Sequence, residues 1–154
     1  MRPDLRHKLI AAGIAATVPL VATFEGLRQR AYLDPVGIPT ACFGATHGVR
    51  MGQTYTREQC DDLLAKDLLD ANGGVDSCVR VPLTSNQRAA FVSFVYNVGR
   101  GNFCGSTLVR KLNAGDPVGA CNELPKWVYA KGIKLPGLVK RREAERQLCL
   151  KEGA

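Results

Sequence analysis

The chain has 154 residues, with 21 Lys and Arg against 14 Asp and Glu, a formal charge of +7 and a pI near 9.3. That length suits one domain with a core of useful size. The charge favours an acidic partner, yet nucleic acid is not expected: no basic block is interleaved with aromatics, and no zinc-finger or helix-turn-helix pattern occurs.

Arg2, Arg6 and Lys8 open the chain with positive charge, and Leu9–Phe24 (LIAAGIAATVPLVATF) carries none. This is the plan of a secretory signal. As a membrane span it falls short of the roughly 20 apolar residues that a bilayer core needs. Gly13, Thr17, Pro19 and Thr23 dilute it further. No small-residue cleavage site leads into a polar start. Three readings are open here: a long buried first helix, a permanent anchor, and an uncleaved export signal that can later leave the membrane. The spacing of Leu20, Val21, Phe24 and Leu27 predicts a helix over Ala16–Arg28, weakened at its end by Gly26.

Glu25 lies in the last turn of that helix. Asp34 follows it with eight residues between, and Thr40 comes after five more. Tyr32, Val36, Ile38 and Phe43, scattered among Pro35, Gly37, Pro39 and Gly44, suit short strands and a hairpin. A chain that leaves a helix and doubles back can set Asp34 and Thr40 opposite Glu25. Two carboxylates across a cleft are the working parts of glycoside hydrolysis, one donating a proton and the other staying ionised. The spacing alone fits solvated surface acids equally well. Thr46 and His47, in the loop Ala45–Gln53, could line such a cleft; His47 is given no catalytic role.

Thr56 and Gln59 form a capping box for a helix with Leu63, Leu64 and Leu68 on its apolar stripe, expected to end at Asn72-Gly73-Gly74. Thr84 and Gln87 form a second box, ahead of the nearly all-apolar Ala89–Val98, a central buried helix. Ser93, Tyr96 and Asn97 on it need partners. Gly99 and Gly101 are expected to break it. Ser106–Leu112 reads as a short helix, Asp116-Pro117 starts another, and Trp127 reads as core. Leu138–Leu150 is a final helix whose basic face (Lys140, Arg141, Arg142, Arg146) is expected to be solvated, with Arg142 and Arg146 pairing to Glu143 or Glu145. Six cysteines (Cys42, Cys60, Cys78, Cys104, Cys121, Cys149) include no CxxC pair, and neither His7 nor His47 stands at ligand spacing to them, so no metal site is expected. Disulfides in an oxidising compartment are, with fifteen pairings possible.

Several motifs together resemble the phage-type lysozymes, glycoside hydrolase family 24. They are Glu25-Gly26, Arg28, Ala31-Tyr32, Asp34, Gly37, Thr40 and Gly44, then Tyr55–Cys60, Ser93–Gly99, Ser106-Thr107-Leu108, Asn113–Asp116, Trp127-Val128-Tyr129 and Gly137–Arg142. They span roughly residues 20–150, and the chain is most similar to the lambdoid endolysins that carry a signal-arrest-release segment. The resemblance implies an α+β, mainly α, two-lobed fold with a small β-sheet lobe, a helical lobe and a cleft between. It implies a signal-arrest-release-like segment over 1–24 that runs into the first helix of a catalytic domain spanning 20–154. Glu25 is implied as proton donor, Asp34 as second carboxylate, Thr40 as the water-positioning hydroxyl and Asn97 as a sugar-facing amide. The pairing implied is Cys42–Cys60, Cys78–Cys104 and Cys121–Cys149. Phe43 stands where many members have tyrosine.

The expected function is an endolysin that hydrolyses the β-1,4 bond between N-acetylmuramic acid and N-acetylglucosamine with inversion, without cofactor, and as a monomer. Its partners would be peptidoglycan glycan strands and, through residues 9–24 before release, the inner membrane. The protein would be exported to the host periplasm and tethered there at first. Two alternatives are a catalytically silent peptidoglycan-binding module and a basic membrane-disrupting protein.

Overall fold

The computed structural model describes residues 1–152; the last two residues of the expected catalytic domain lie outside them. Eight α-helices and two small antiparallel hairpins make up the described chain. No described helix is long and apolar enough to cross a membrane.

The uncharged N-terminal stretch is not one helix. α1 spans Pro3–Ala11 and α2 spans Thr17–Glu25. The chain turns between them at Gly13, whose φ of +74° suits glycine, and Ile14 is fully buried there. α1 docks on the later helix α3 (Arg57–Cys78), and its Leu5 and Leu9 are both buried. The Arg2 N–H donates to Asp62 Oδ1 at 2.7 Å. α2 is fixed from below by the buried Thr17 hydroxyl, which donates to the Ala89 carbonyl at 3.0 Å. α2 ends at Glu25 rather than Arg28, because Gly26 takes a φ of +69° as its C-cap and Arg28 already begins a strand.

Strands β1 (Arg28–Leu33) and β2 (Pro39–Cys42) pair antiparallel, with Tyr32 opposite Thr40 and Leu33 opposite Pro39. A tight loop follows, closed by reciprocal Ala41 and Ala45 backbone hydrogen bonds of 2.9 and 2.8 Å. The first capping box starts α3 as expected. That helix then runs straight through Asn72-Gly73-Gly74 to Cys78. Tertiary packing overrides the local breakers here: a Cβ on Gly74 would stand 3.2 Å from Arg100 Cβ and 3.3 Å from a Val95 methyl, so the glycine is a contact point.

The second capping box starts α4 (Ser85–Val98), whose residues Ala89–Val95 are all buried. Gly99, with φ +88°, ends it, whereas Gly101 lies inside α5 (Arg100–Cys104). α6 (Thr107–Asn113) is capped by Ser106, and α7 (Pro117–Cys121) by Asp116 with proline in its first turn. After a 3-10 turn at Leu124–Lys126, a second hairpin not foreseen from sequence pairs β3 (Tyr129–Ala130) with β4 (Ile133–Lys134). Lys131 and Gly132, both at positive φ, make its turn. α8 (Pro136–Leu150) packs along α4.

The core is helical, with Phe94 edge-on to Trp127 at 5.3 Å and to Phe103 at 6.2 Å. Three disulfides join Cys42 to Cys60, Cys78 to Cys104 and Cys121 to Cys149. One correction concerns the face of α8. Lys140 is exposed, but Arg141 and Arg142 are 3% and 1% exposed, and Glu145 is fully buried between them. Their charges are satisfied inside the protein rather than by water, which is what permits the burial.

Candidate active site

A cavity of about 460 Å³ opens between the tip of α2, the loop after β2, α3 and the end of α4. Glu25, Gly44, Thr46, His47, Asp67, Asp70, Tyr96 and Asn97 line it. Glu25 reaches it because α2 stops at the carboxylate itself. One oxygen, Oε1, accepts from Arg141 Nη1 at 2.5 Å across 116 residues of sequence. The other, Oε2, lies against Gly44, where a Cβ would stand only 3.3 Å away. Gly44 therefore serves the site twice: its φ of +90° makes the turn, and its missing side chain leaves room for the acid. The Tyr96 hydroxyl holds the same loop, donating to the Phe43 carbonyl at 2.5 Å.

Asp34 occupies the turn between β1 and β2, outside the lining of this cavity. Its Oδ1 accepts the N–H groups of Val36 at 2.9 Å and Ile38 at 2.8 Å, an Asx-type arrangement that shapes the turn. No described residue hydrogen-bonds Oδ2, so one oxygen is anchored and the other is open to a water or a sugar. Thr40 is 5% exposed on β2, and its hydroxyl donates to the Ile38 carbonyl at 2.9 Å. The lone pairs of Oγ remain to accept from a water. Thr40 and Asp34 thus share one hairpin, and Glu25 stands at the helix end that feeds it.

Asn97 lies in the cavity wall, its Oδ1 accepting from Arg142 Nη2. Arg142 also donates to the Trp127 carbonyl at 2.9 Å and to Glu145 Oε1 at 2.5 Å. Burial pushes its pKa down, against the charge of Glu145. Asp67 escaped the sequence reading, and Tyr96 was read there only as a polar residue in need of a partner. Asp67 projects from α3 into the cavity with no hydrogen-bond or ion-pair partner among the described residues, and burial, aided by the charge of Asp70, pushes it up to about 6. Tyr96 is pushed up by burial first and then by the charges of Asp67 and Glu25. The only signal for either was helical spacing: Asp67 and Ala71 share a face of α3, as do Ser93 and Tyr96 on α4. No group of three His, Cys, Asp or Glu residues suited to a metal ion occurs among the described residues.

This architecture is shared with known proteins. The SAR-endolysin of Bacteriophage PS119 is 42% identical over 161 residues, covering 97% of this chain and 96% of that one. The muramidase domain of SpmX from Asticaccaulis excentricus superposes with a TM-score of 0.85 at 37% identity, covering 90% of this chain and 97% of its own. The active form of the P1 phage endolysin Lyz superposes with a TM-score of 0.81 at 29% identity, over 96% of this chain and 92% of its own. The secreted inactive form of Lyz gives 0.60 at 26% identity, over 88% and 94%. The phage lysozyme family model matches residues 22–145, and the chain belongs to that family.

Proposed function

We propose that Glu25 is the proton donor with which this lysozyme-type glycoside hydrolase cleaves the β-1,4 bond between N-acetylmuramic acid and N-acetylglucosamine. The family makes the chain a peptidoglycan-hydrolysing endolysin. The observation that carries the residue assignment is the position of Glu25: a carboxylate at a helix end, in the wall of a cavity of about 460 Å³, next to the hairpin that bears Asp34 and Thr40.

In this reading Glu25 gives its proton to the bridging oxygen as the bond to C1 breaks. Asp34, ionised, takes a proton through its open oxygen from a water that Thr40 helps to hold. The water oxygen bonds to C1 from the opposite face, so the anomeric configuration inverts. Asn97, oriented by Arg142, offers its amide N–H groups to a sugar. No cofactor takes part, and a monomer suffices because both carboxylates come from one chain.

The test is digestion of purified peptidoglycan by wild type and Glu25→Gln, with fragments read by mass spectrometry. Fragments ending in reducing N-acetylmuramic acid, lost in Glu25→Gln, are expected. Equal solubilisation by both proteins, or anhydro or peptide-cleaved products, would overturn the assignment. Proton NMR of the first-formed anomer tests inversion.

The N-terminal segment, residues 1–24, is read as an uncleaved export signal that tethers the enzyme to the inner membrane on its periplasmic side and later leaves it. Support comes from the docking of α1 on α3 and from the closer superposition on the active form of Lyz than on its secreted inactive form. Fractionation of cells before and after membrane depolarisation checks this. Movement of the full-length chain from the membrane to the soluble periplasmic fraction is expected, and a chain that stays in the membrane, or is shortened on release, would sink it.

A further inference from the structure

Glu145 is fully buried, yet it carries no catalytic assignment. Its Oε1 accepts from Arg142 at 2.5 Å, and its Oε2 accepts from the Ser93 hydroxyl at 2.6 Å and from Arg141 Nε at 3.5 Å. Each of those arginines reaches on to a cavity residue: Arg141 to Glu25 at 2.5 Å, and Arg142 to Asn97. One inaccessible carboxylate therefore sits at the centre of a network whose two ends are the proposed acid and the proposed sugar-binding amide. The α-helix supplies the geometry, since residues three and four apart share a face and Glu145 follows Arg142 by three and Arg141 by four.

The charges make the arrangement consequential. Two guanidiniums, always protonated, lie within the protein: Arg141 on Glu25 itself, and Arg142 within reach of its charge. Acting together on one carboxylate they would favour its ionised form, which cannot donate a proton. Glu145 cancels one of the two. We infer that Glu145 is a positioning residue for the hydrolytic reaction, fixing Arg141 where it meets Glu25 and offsetting the charge of Arg142, so that the acid faces the net charge of one guanidinium rather than two. The inference rests on the assignment of Glu25 as the acid.

The other charged or titratable groups that line the cavity with Glu25 are Tyr96 from α4, Asp67 and Asp70 from α3, Arg100 from α5, and His47 from the loop after β2. Asp67, at about 6, titrates within the working range. All of these stay constant across the variants that test Glu145, so differences between pH profiles isolate the network.

The experiment is the pH dependence of kcat on solubilised peptidoglycan for four proteins: wild type, Glu145→Gln, Arg142→Gln and the double variant, with thermal unfolding of each in parallel. The alkaline limb of kcat follows loss of the proton from the acid in the complex. Removing the negative charge should move that limb down by about one pH unit, a tenfold loss of rate above it and little loss below. Arg142→Gln should move it up. In the double variant, which has lost one charge of each sign, the limb should return to the wild-type position, whatever happens to KM through Asn97. Should Glu145→Gln fail to fold, Arg142→Gln, in which Glu145 keeps Arg141 and Ser93, still carries the shift of opposite sign. Coincident limbs in the folded variants, with activity falling equally at every pH, would overturn the inference and leave Glu145 a purely structural residue. A wild-type enzyme that releases no reducing muramic acid ends would instead overturn the assignment of the reaction.

Discussion

Glu25 and Asp34 are held in place by opposite means. Glu25 depends on Arg141, 116 residues away, which in turn depends on Glu145 and on Ser93. Asp34 depends on the N–H groups of Val36 and Ile38, within its own turn. The first carboxylate is a product of the whole fold; the second is a product of five residues. The hairpin half therefore reads from local sequence and the other half does not, and the two halves are expected to break differently.

The largest effect is expected on the long-range side. Arg141→Met leaves Glu25 and Glu145 without their shared cation, and urea unfolding should show a loss of about 3–5 kcal/mol. A loss below 1 kcal/mol would mean that Glu25 needs no distant support and would erase the contrast. Next comes the covalent tie of the hairpin. Cys42–Cys60 closes an 18-residue separation from β2 to α3, and replacing both cysteines with alanine should cost about 3 kcal/mol. Hydrogen exchange should rise mainly in β1, β2 and the start of α3. If it rose instead around α8, the two halves would be one cooperative unit.

Asp34 itself separates shape from chemistry. Asp34→Ala removes the acceptor of two backbone donors and should cost about 1 kcal/mol. Asp34→Asn keeps an acceptor and should cost much less, yet both should lose wall-lytic activity. An active Asp34→Asn would leave the residue only its role in the turn.

The smallest effect concerns Asp67, which has neither kind of support. Its folded pKa of about 6 lies above the ordinary carboxylate range. Its contribution to stability is therefore fully present below about pH 4 and lost as pH rises through 6. Asp67→Asn should raise Tm by about 1–2 °C at pH 7.5, because the side chain is only partly withdrawn from water, and the gain should vanish at pH 4. A gain that persists at pH 4 would come from something other than charge.

The same distinction governs what was legible in the sequence. Thr56 with Gln59 and Thr84 with Gln87 announce their helices because each capping box closes within four residues. The turn at Asp34 is legible from Asp, Pro and Gly together. Gly73-Gly74 misleads, because the packing that keeps the helix going belongs to Val95 and Arg100. Arg141 and Arg142 mislead most, since next to Lys140 they look like a solvated run. The hint was Glu145, a carboxylate at the right helical offset from both, but offset alone cannot tell a buried cluster from a surface pair. Gly13 was visible only as a diluent in an apolar stretch, and nothing local marked it as the place where the chain turns.

The helix α3 is bonded to other parts of the chain close to each end, to β2 through Cys60 and to α5 through Cys78. The two attachment points are about 27 Å apart along the helix axis, from 18 residues at 1.5 Å each. A rigid rod bolted at two such points cannot slide lengthwise past either attachment. Each flanking body is thereby held at its own level along the rod, and a chain whose thiols are still reduced has neither attachment.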